Sequence, residues 1–246
     1  MRKCFLRFKY PYATMVLSHC GFFERGIKMK RKKFISLIIS LASLFAFLLW
    51  TVLALVIDVK GIGPNETKVG FASFNTFVHN LTGVNMTLYE ITDWLGILVI
   101  GIAAGFGVLG FVQLIKRKSI KRVDYSILVL GGFYITVIAF YLFFELVTIN
   151  YRPLLIEGRL EASYPSSTTV LSLCVLITGI IELNNRFKRR ITKLAFGVAF
   201  SSLAVFMVIG RILSGVHWAS DIIGGIFLSL GLIMLYYFAI LKINKK

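Results

Sequence analysis

His217 and Asp221 stand four residues apart and pair an imidazole with a carboxylate. On a helix that spacing sets them about 40° apart on one face. There the carboxylate can accept a proton from one ring nitrogen and leave the other free as nucleophile or base. The plain alternative is a structural His–Asp pair capping a helix. Arg152 and Arg211 add two planar guanidinium groups, whose forked donors match phosphate oxygens. Either arginine alone would as readily snorkel to lipid headgroups or pair with Glu145, Glu157 or Glu161. In Pro165-Ser166-Ser167-Thr168 the proline suits a first helical turn. The hydroxyls and free amides of Ser166, Ser167 and Thr168 then form an anion cradle, with an ordinary Ser/Thr cap as the alternative for any one of them. Together the three elements point to a phosphate-binding centre with a poised nucleophile.

Something must carry these residues to one place. The chain has 246 residues, 57% hydrophobic and 16% charged, a balance suited to lipid rather than water. Apolar windows long enough to cross a hydrocarbon core of roughly 30 Å run over residues 34–57, 94–115, 124–149, 168–185, 193–213 and 221–241. The expected fold is therefore all-α, a polytopic membrane protein with six transmembrane helices. The formal net charge of +17 falls between the spans, in clusters at 28–33, 116–122, 186–193 and 242–246, all on one side. This is the positive-inside pattern, not the charged soluble face of a nucleic-acid binder. It places both termini in the cytoplasm of a cell-membrane protein and turns Glu145, Arg152, Ser166, Arg211, His217 and Asp221 to the extracytoplasmic side.

Residues 1–28 read as an N-terminal extension and 29–246 as the membrane domain. The first apolar run is too long for a signal-peptide core and is read as a retained helix. Residues 58–93 read as a connection with a short interfacial helix that covers the site. Cys4, Cys20 and Cys174 have neither disulfide nor metal-ligand spacing, so no metal or cofactor is expected. No internal repeat is visible, and the polar residues gather at one face rather than at the midplane, which ranks a small-molecule carrier last.

Arg152-Pro153, Pro165-Ser166-Ser167-Thr168 and Arg211-x5-His217-x3-Asp221 resemble, in order and spacing, the three motifs of the type 2 phosphatidic acid phosphatase (PAP2) superfamily. Those motifs are Lys-x6-Arg-Pro, Pro-Ser-Gly-His and Ser-Arg-x5-His-x3-Asp. The resemblance implies a six-helix bundle that hydrolyses lipid phosphates. It implies that His217 attacks phosphorus to form a phosphohistidine, that Asp221 orients it, and that Arg152, Arg211 and the Ser166 region bind the phosphoryl oxygens. Three positions depart from the pattern: Glu145 stands for the lysine, Thr168 for the second-motif histidine and Gly210 for the serine. In the family that histidine protonates the leaving oxygen, a task generally worth roughly 10²–10⁴-fold and one that Thr168 cannot perform near neutral pH. Two readings follow. In the first, turnover persists on a phosphorylated lipid such as phosphatidic acid or, with its better leaving group, a polyprenyl diphosphate, and Glu145 serves as substitute acid. In the second, the site binds phosphorylated lipid without turnover.

Overall fold

Each long apolar window folds as a helix, because in lipid the backbone must satisfy its own hydrogen bonds. A computed structural model gives the backbone of residues 13–243 and the side chains of residues 27–242. The helices are α1 (Ala13–Val56), α2 (Ala72–Thr82), α3 (Met86–Arg117), α4 (Tyr125–Leu146), α5 (Ser167–Arg186), α6 (Arg190–Leu213) and α7 (Ala219–Ile243). Among the described residues, six of these are long and apolar enough to cross a membrane, and α2 is the short exception. The chain is a multi-pass membrane protein of the expected all-α class. Part of the extension read over 1–28 lies outside the described residues; from Ala13 the backbone already runs helically into α1.

α5 and α7 form the centre. Cys174, Val175 and Leu176 on α5 and Ile222, Leu228, Leu232 and Tyr236 on α7 are buried. α1 packs along α7 through Ser36, Ser40, Ser43, Phe47 and Ala54, a stripe of mostly small residues that lets two backbones approach. At its middle the Ser40 hydroxyl donates to the Gly231 carbonyl at 2.8 Å. The outward face of α1, with Leu41, Phe45, Leu48 and Val52 exposed, is what lipid solvates.

The two ends of the bundle differ. At the basic end, Glu182 is fully buried on α5 and accepts from the Tyr236 hydroxyl at 2.6 Å and the Ser126 hydroxyl at 3.1 Å, with Arg186 beside it. A carboxylate buried at membrane depth is tolerated when it is paired in this way. At the other end two connections build a polar floor. Residues 147–166 fold back as an irregular hairpin bridged at Tyr151–Ala162 and Ile156–Arg159. Residues 214–218 form a tight turn between α6 and α7.

α3 begins about two turns before its apolar window, because Asn85 caps it by accepting from the Leu88 amide at 2.9 Å. That extra length carries Tyr89 and Asp93 into the polar end. The α6–α7 turn docks on the residues before this cap: the Asn85 amide donates to the Ser214 carbonyl at 3.0 Å. Gly215 has φ +66°, and a Cβ there would lie 2.0 Å from the Gly83 carbonyl oxygen. Gly215→Ala is expected to cost at least about 2 kcal/mol from left-handed strain plus the backbone clash. Thermal unfolding in detergent will check it, with a midpoint several degrees lower than wild type.

Candidate phosphate-binding site

His217 lies in the turn before α7, not on the helix, so the on-helix geometry read from its spacing to Asp221 does not apply. Trp218 precedes the first residue of α7 and Asp221 sits in the first turn. The Asp221 carboxylate reaches back to the Trp218 amide at 3.2 Å, half of a capping box. The capping alternative is thus present alongside the imidazole partnership. That partnership is indirect: the Ser163 hydroxyl lies 3.0 Å from His217 Nδ1 and donates to Asp221 Oδ2 at 2.5 Å. Asp221 also accepts from the Asn150 amide at 2.9 Å and the Ser220 hydroxyl at 3.3 Å.

These bonds stitch the two connections together. The Ser163 amide donates to the Asn150 carbonyl at 2.9 Å, and the Ser166 amide donates to the Asp221 carbonyl at 3.1 Å. Tyr164 is buried, its hydroxyl 2.7 Å from Thr51 on α1 and its ring against Gly224. Behind the turn, α2 holds α7: the Asn75 side chain exchanges hydrogen bonds with Ser220 at 2.9 and 3.0 Å.

Both arginines lie near enough to His217 for their charges to act on it. Arg211, 1% exposed, donates through Nη2 to Asp93 at 2.9 Å. Arg152 Nε lies 3.1 Å from Glu161 without the alignment of a hydrogen bond. The two guanidinium carbons sit 4.9 Å and 5.8 Å from the centroid of one ring, that of Tyr89. Arg211 Nε and Nη1, Arg152 Nη1 and His217 Nε2 are buried with no hydrogen-bond partner among the described residues. Burial first, and then the positive charges of Arg152 and Arg211, push the His217 imidazole well below its ordinary pKa, so its resting form is neutral.

A cavity of about 560 Å³ runs between α3, α4 and α5. Asp93, Arg211, Ser163, Ser167, Thr168 and Glu145 line its polar part, and aliphatic and aromatic side chains line the rest. Ile97, Ile100 and Ile138 on its wall are also exposed at the lipid-facing surface. His217 and Arg152 do not line it, although Ser163, 3.0 Å from His217 Nδ1, does. Of the expected anion cradle, Ser167 and Thr168 border the cavity. Ser166 is turned inward, its amide committed to Asp221 and its hydroxyl accepting from Thr169 at 3.0 Å. The substitution at Gly210 has a packing reason: a Cβ there would lie 2.6 Å from Thr92 Cγ2 on α3.

All three motifs and Glu145 therefore fall at one end of the bundle, within one stretch of sequence. Residues 143–245 match the PAP2 superfamily model. The resemblance to PAP2 drawn from the motifs holds, and the match spans every one of them. The fold agrees over a greater length: a crystal structure of a transmembrane PAP2 type phosphatidylglycerolphosphate phosphatase from Bacillus subtilis superposes with a TM-score of 0.59. It is 18% identical, with 84% of this chain and 98% of that chain covered. No curated protein matches the chain in sequence. Sequence reasoning missed Ser163, Asn150, Tyr89 and Asp93; the last two lie on α3, outside the PAP2 match.

Proposed function

We propose that this chain is an integral membrane phosphatase that removes phosphate from a lipid phosphate or polyprenyl diphosphate at the extracytoplasmic face. The observation that carries the proposal is the set of unpartnered buried groups at the site, three guanidinium N–H positions and one imidazole nitrogen. Arg211 lines the polar end of a cavity whose remaining walls are apolar, and Ser163, which lines it too, adjoins His217. Unsatisfied buried donors are costly, and the guanidinium donors here are of the kind phosphoryl oxygens satisfy. The apolar walls suit an acyl or prenyl chain entering from the bilayer.

In the proposed reaction, the Nε2 lone pair of His217 attacks phosphorus, and the bond from phosphorus to the leaving oxygen breaks. Arg152 and Arg211 neutralise the charge gathering on the non-bridging oxygens. Water then attacks the phosphohistidine and gives up a proton, which restores the group that protonated the leaving oxygen or passes to solvent; the N–P bond breaks, and phosphate leaves with His217 neutral again. The leaving oxygen needs a proton. Glu145 on α4 and Thr168 on α5 border the same cavity, so Glu145 is the proposed substitute acid for an alkoxide. A phosphate leaving from a diphosphate needs that proton less.

The test is phosphate release by purified protein in mixed micelles of phosphatidic acid or a polyprenyl diphosphate. Turnover is expected to be faster on the diphosphate, and Glu145→Gln is expected to lower turnover of phosphatidic acid by about 10²-fold or more while sparing the diphosphate. Lipid binding without release from either substrate would sink the phosphatase reading and leave a lipid-phosphate receptor.

A further inference from the structure

Resting on that reading of the site, we propose that Ser163 is a positioning residue for the nucleophile: its hydroxyl, interposed between Asp221 and His217, fixes the imidazole as the Nδ1–H tautomer with Nε2 bare. Asp221 receives hydrogen bonds from two hydroxyls, an amide side chain and a backbone amide, the surroundings of an acceptor. The Ser163 proton therefore points to Asp221 Oδ2, at 2.5 Å. A hydroxyl has one proton, so towards His217 Nδ1, at 3.0 Å, Ser163 offers only lone pairs. Nδ1 must then be the nitrogen that carries hydrogen, because the partner of one ring nitrogen decides the protonation of the other. The bare nitrogen is Nε2, which has no partner among the described residues.

The position leaves the hydroxyl little choice. Ser163 is 3% exposed, and its amide is tied to the Asn150 carbonyl, while the Asn150 side chain donates to the same Asp221. The hydroxyl is thus held between two fixed groups. The arrangement also has an electrostatic consequence. It sets the Asp221 charge one hydroxyl further from an incoming phosphate than a direct pair would. The chain of hydrogen bonds still polarises Nδ1–H as the ring gains positive charge on attack.

The first test needs no turnover. Only three histidines are present, so nitrogen NMR of histidine-labelled protein in detergent, near neutral pH, resolves His217 by its loss in His217→Gln. Wild type is expected to show a protonated Nδ1 and a bare Nε2, and Ser163→Ala to show a mixture or the opposite tautomer. A wild-type Nε2–H, or a Ser163→Ala spectrum matching wild type, would overturn the proposal. If no lipid phosphate is hydrolysed, the enzyme reading fails while this measurement still decides the role of Ser163. In the active protein, Ser163→Ala is expected to lower kcat about 10–100-fold with KM unchanged. The double change with Asp221→Asn should cost no more than the larger single effect, since both act through one chain. Strictly additive losses would likewise count against it.

Discussion

Replacing His217 by alanine is expected to abolish phosphate release, by at least about 10⁴-fold in kcat, because the substitution removes the atom that bonds to phosphorus. The fold should persist: among the described residues Ser163 alone hydrogen-bonds the imidazole, and the Asp221 cap on the Trp218 amide remains. Initial rates on both lipid substrates measure the loss, and circular dichroism of the same preparation confirms retained helix. Release that survives the change would remove the phosphohistidine step. The pH profile of wild type adds an independent check. Burial and the two arginine charges hold the folded His217 pKa well below 6.5. Protonation, which fills Nε2 and silences the nucleophile, therefore sets in only at lower pH. The acid limb of kcat/KM attributable to this histidine is expected below pH 6.5, not at it; a half-maximum at or above that value would contradict the burial and charge seen around the ring.

Much of the architecture was legible because lipid leaves few alternatives. A run such as 34–57 must be helical to satisfy its backbone, and clusters such as Lys116, Arg117 and Lys118 must stay at an aqueous end. The motif spacing likewise carried Arg152, Arg211, His217 and Asp221 to one end of the bundle. What escaped were contacts made by residues whose type says little alone. Ser163 is one serine among many, and only the fold of the 147–166 hairpin places it between Asp221 and His217. Tyr89 and Asp93 precede the apolar window of α3, so hydropathy left them in a connection; the Asn85 cap makes them helical and aims them at Arg211. The expected direct His217–Asp221 pair assumed one continuous helix. The turn docked through Gly215 on Gly83 ends that continuity and opens room for a hydroxyl between the two.

The second large effect is expected at Arg211. Its Nη2 is held by Asp93, its plane lies over Tyr89, and its Nε and Nη1 remain buried and unpartnered. Nη2 anchors the group and leaves the Nε and Nη1 donors for the phosphoryl oxygens. Arg211→Ala is expected to lower kcat/KM about 10²–10³-fold, the usual cost of losing one preorganised donor to developing negative charge. Arg211→Lys restores the charge but not the fork. An ammonium has three donors but no fixed fork, so it cannot hold Asp93 and also present oriented donors where the guanidinium places them, and most of the loss should remain. Asp93 makes the effect separable from folding. Its carboxylate is 61% exposed, so losing its partner strands little charge in the protein interior. It does leave an unneutralised carboxylate lining the cavity, repelling an anionic substrate. Adding Asp93→Asn to Arg211→Ala should therefore recover part of kcat/KM, whereas Asp93→Asn alone should lower it by loosening the arginine. Opposite signs for one substitution in two backgrounds are the signature of a carboxylate that acts through Arg211. If Arg211→Lys turned over at the wild-type rate, the guanidinium would be a point charge and not an oriented phosphate clamp.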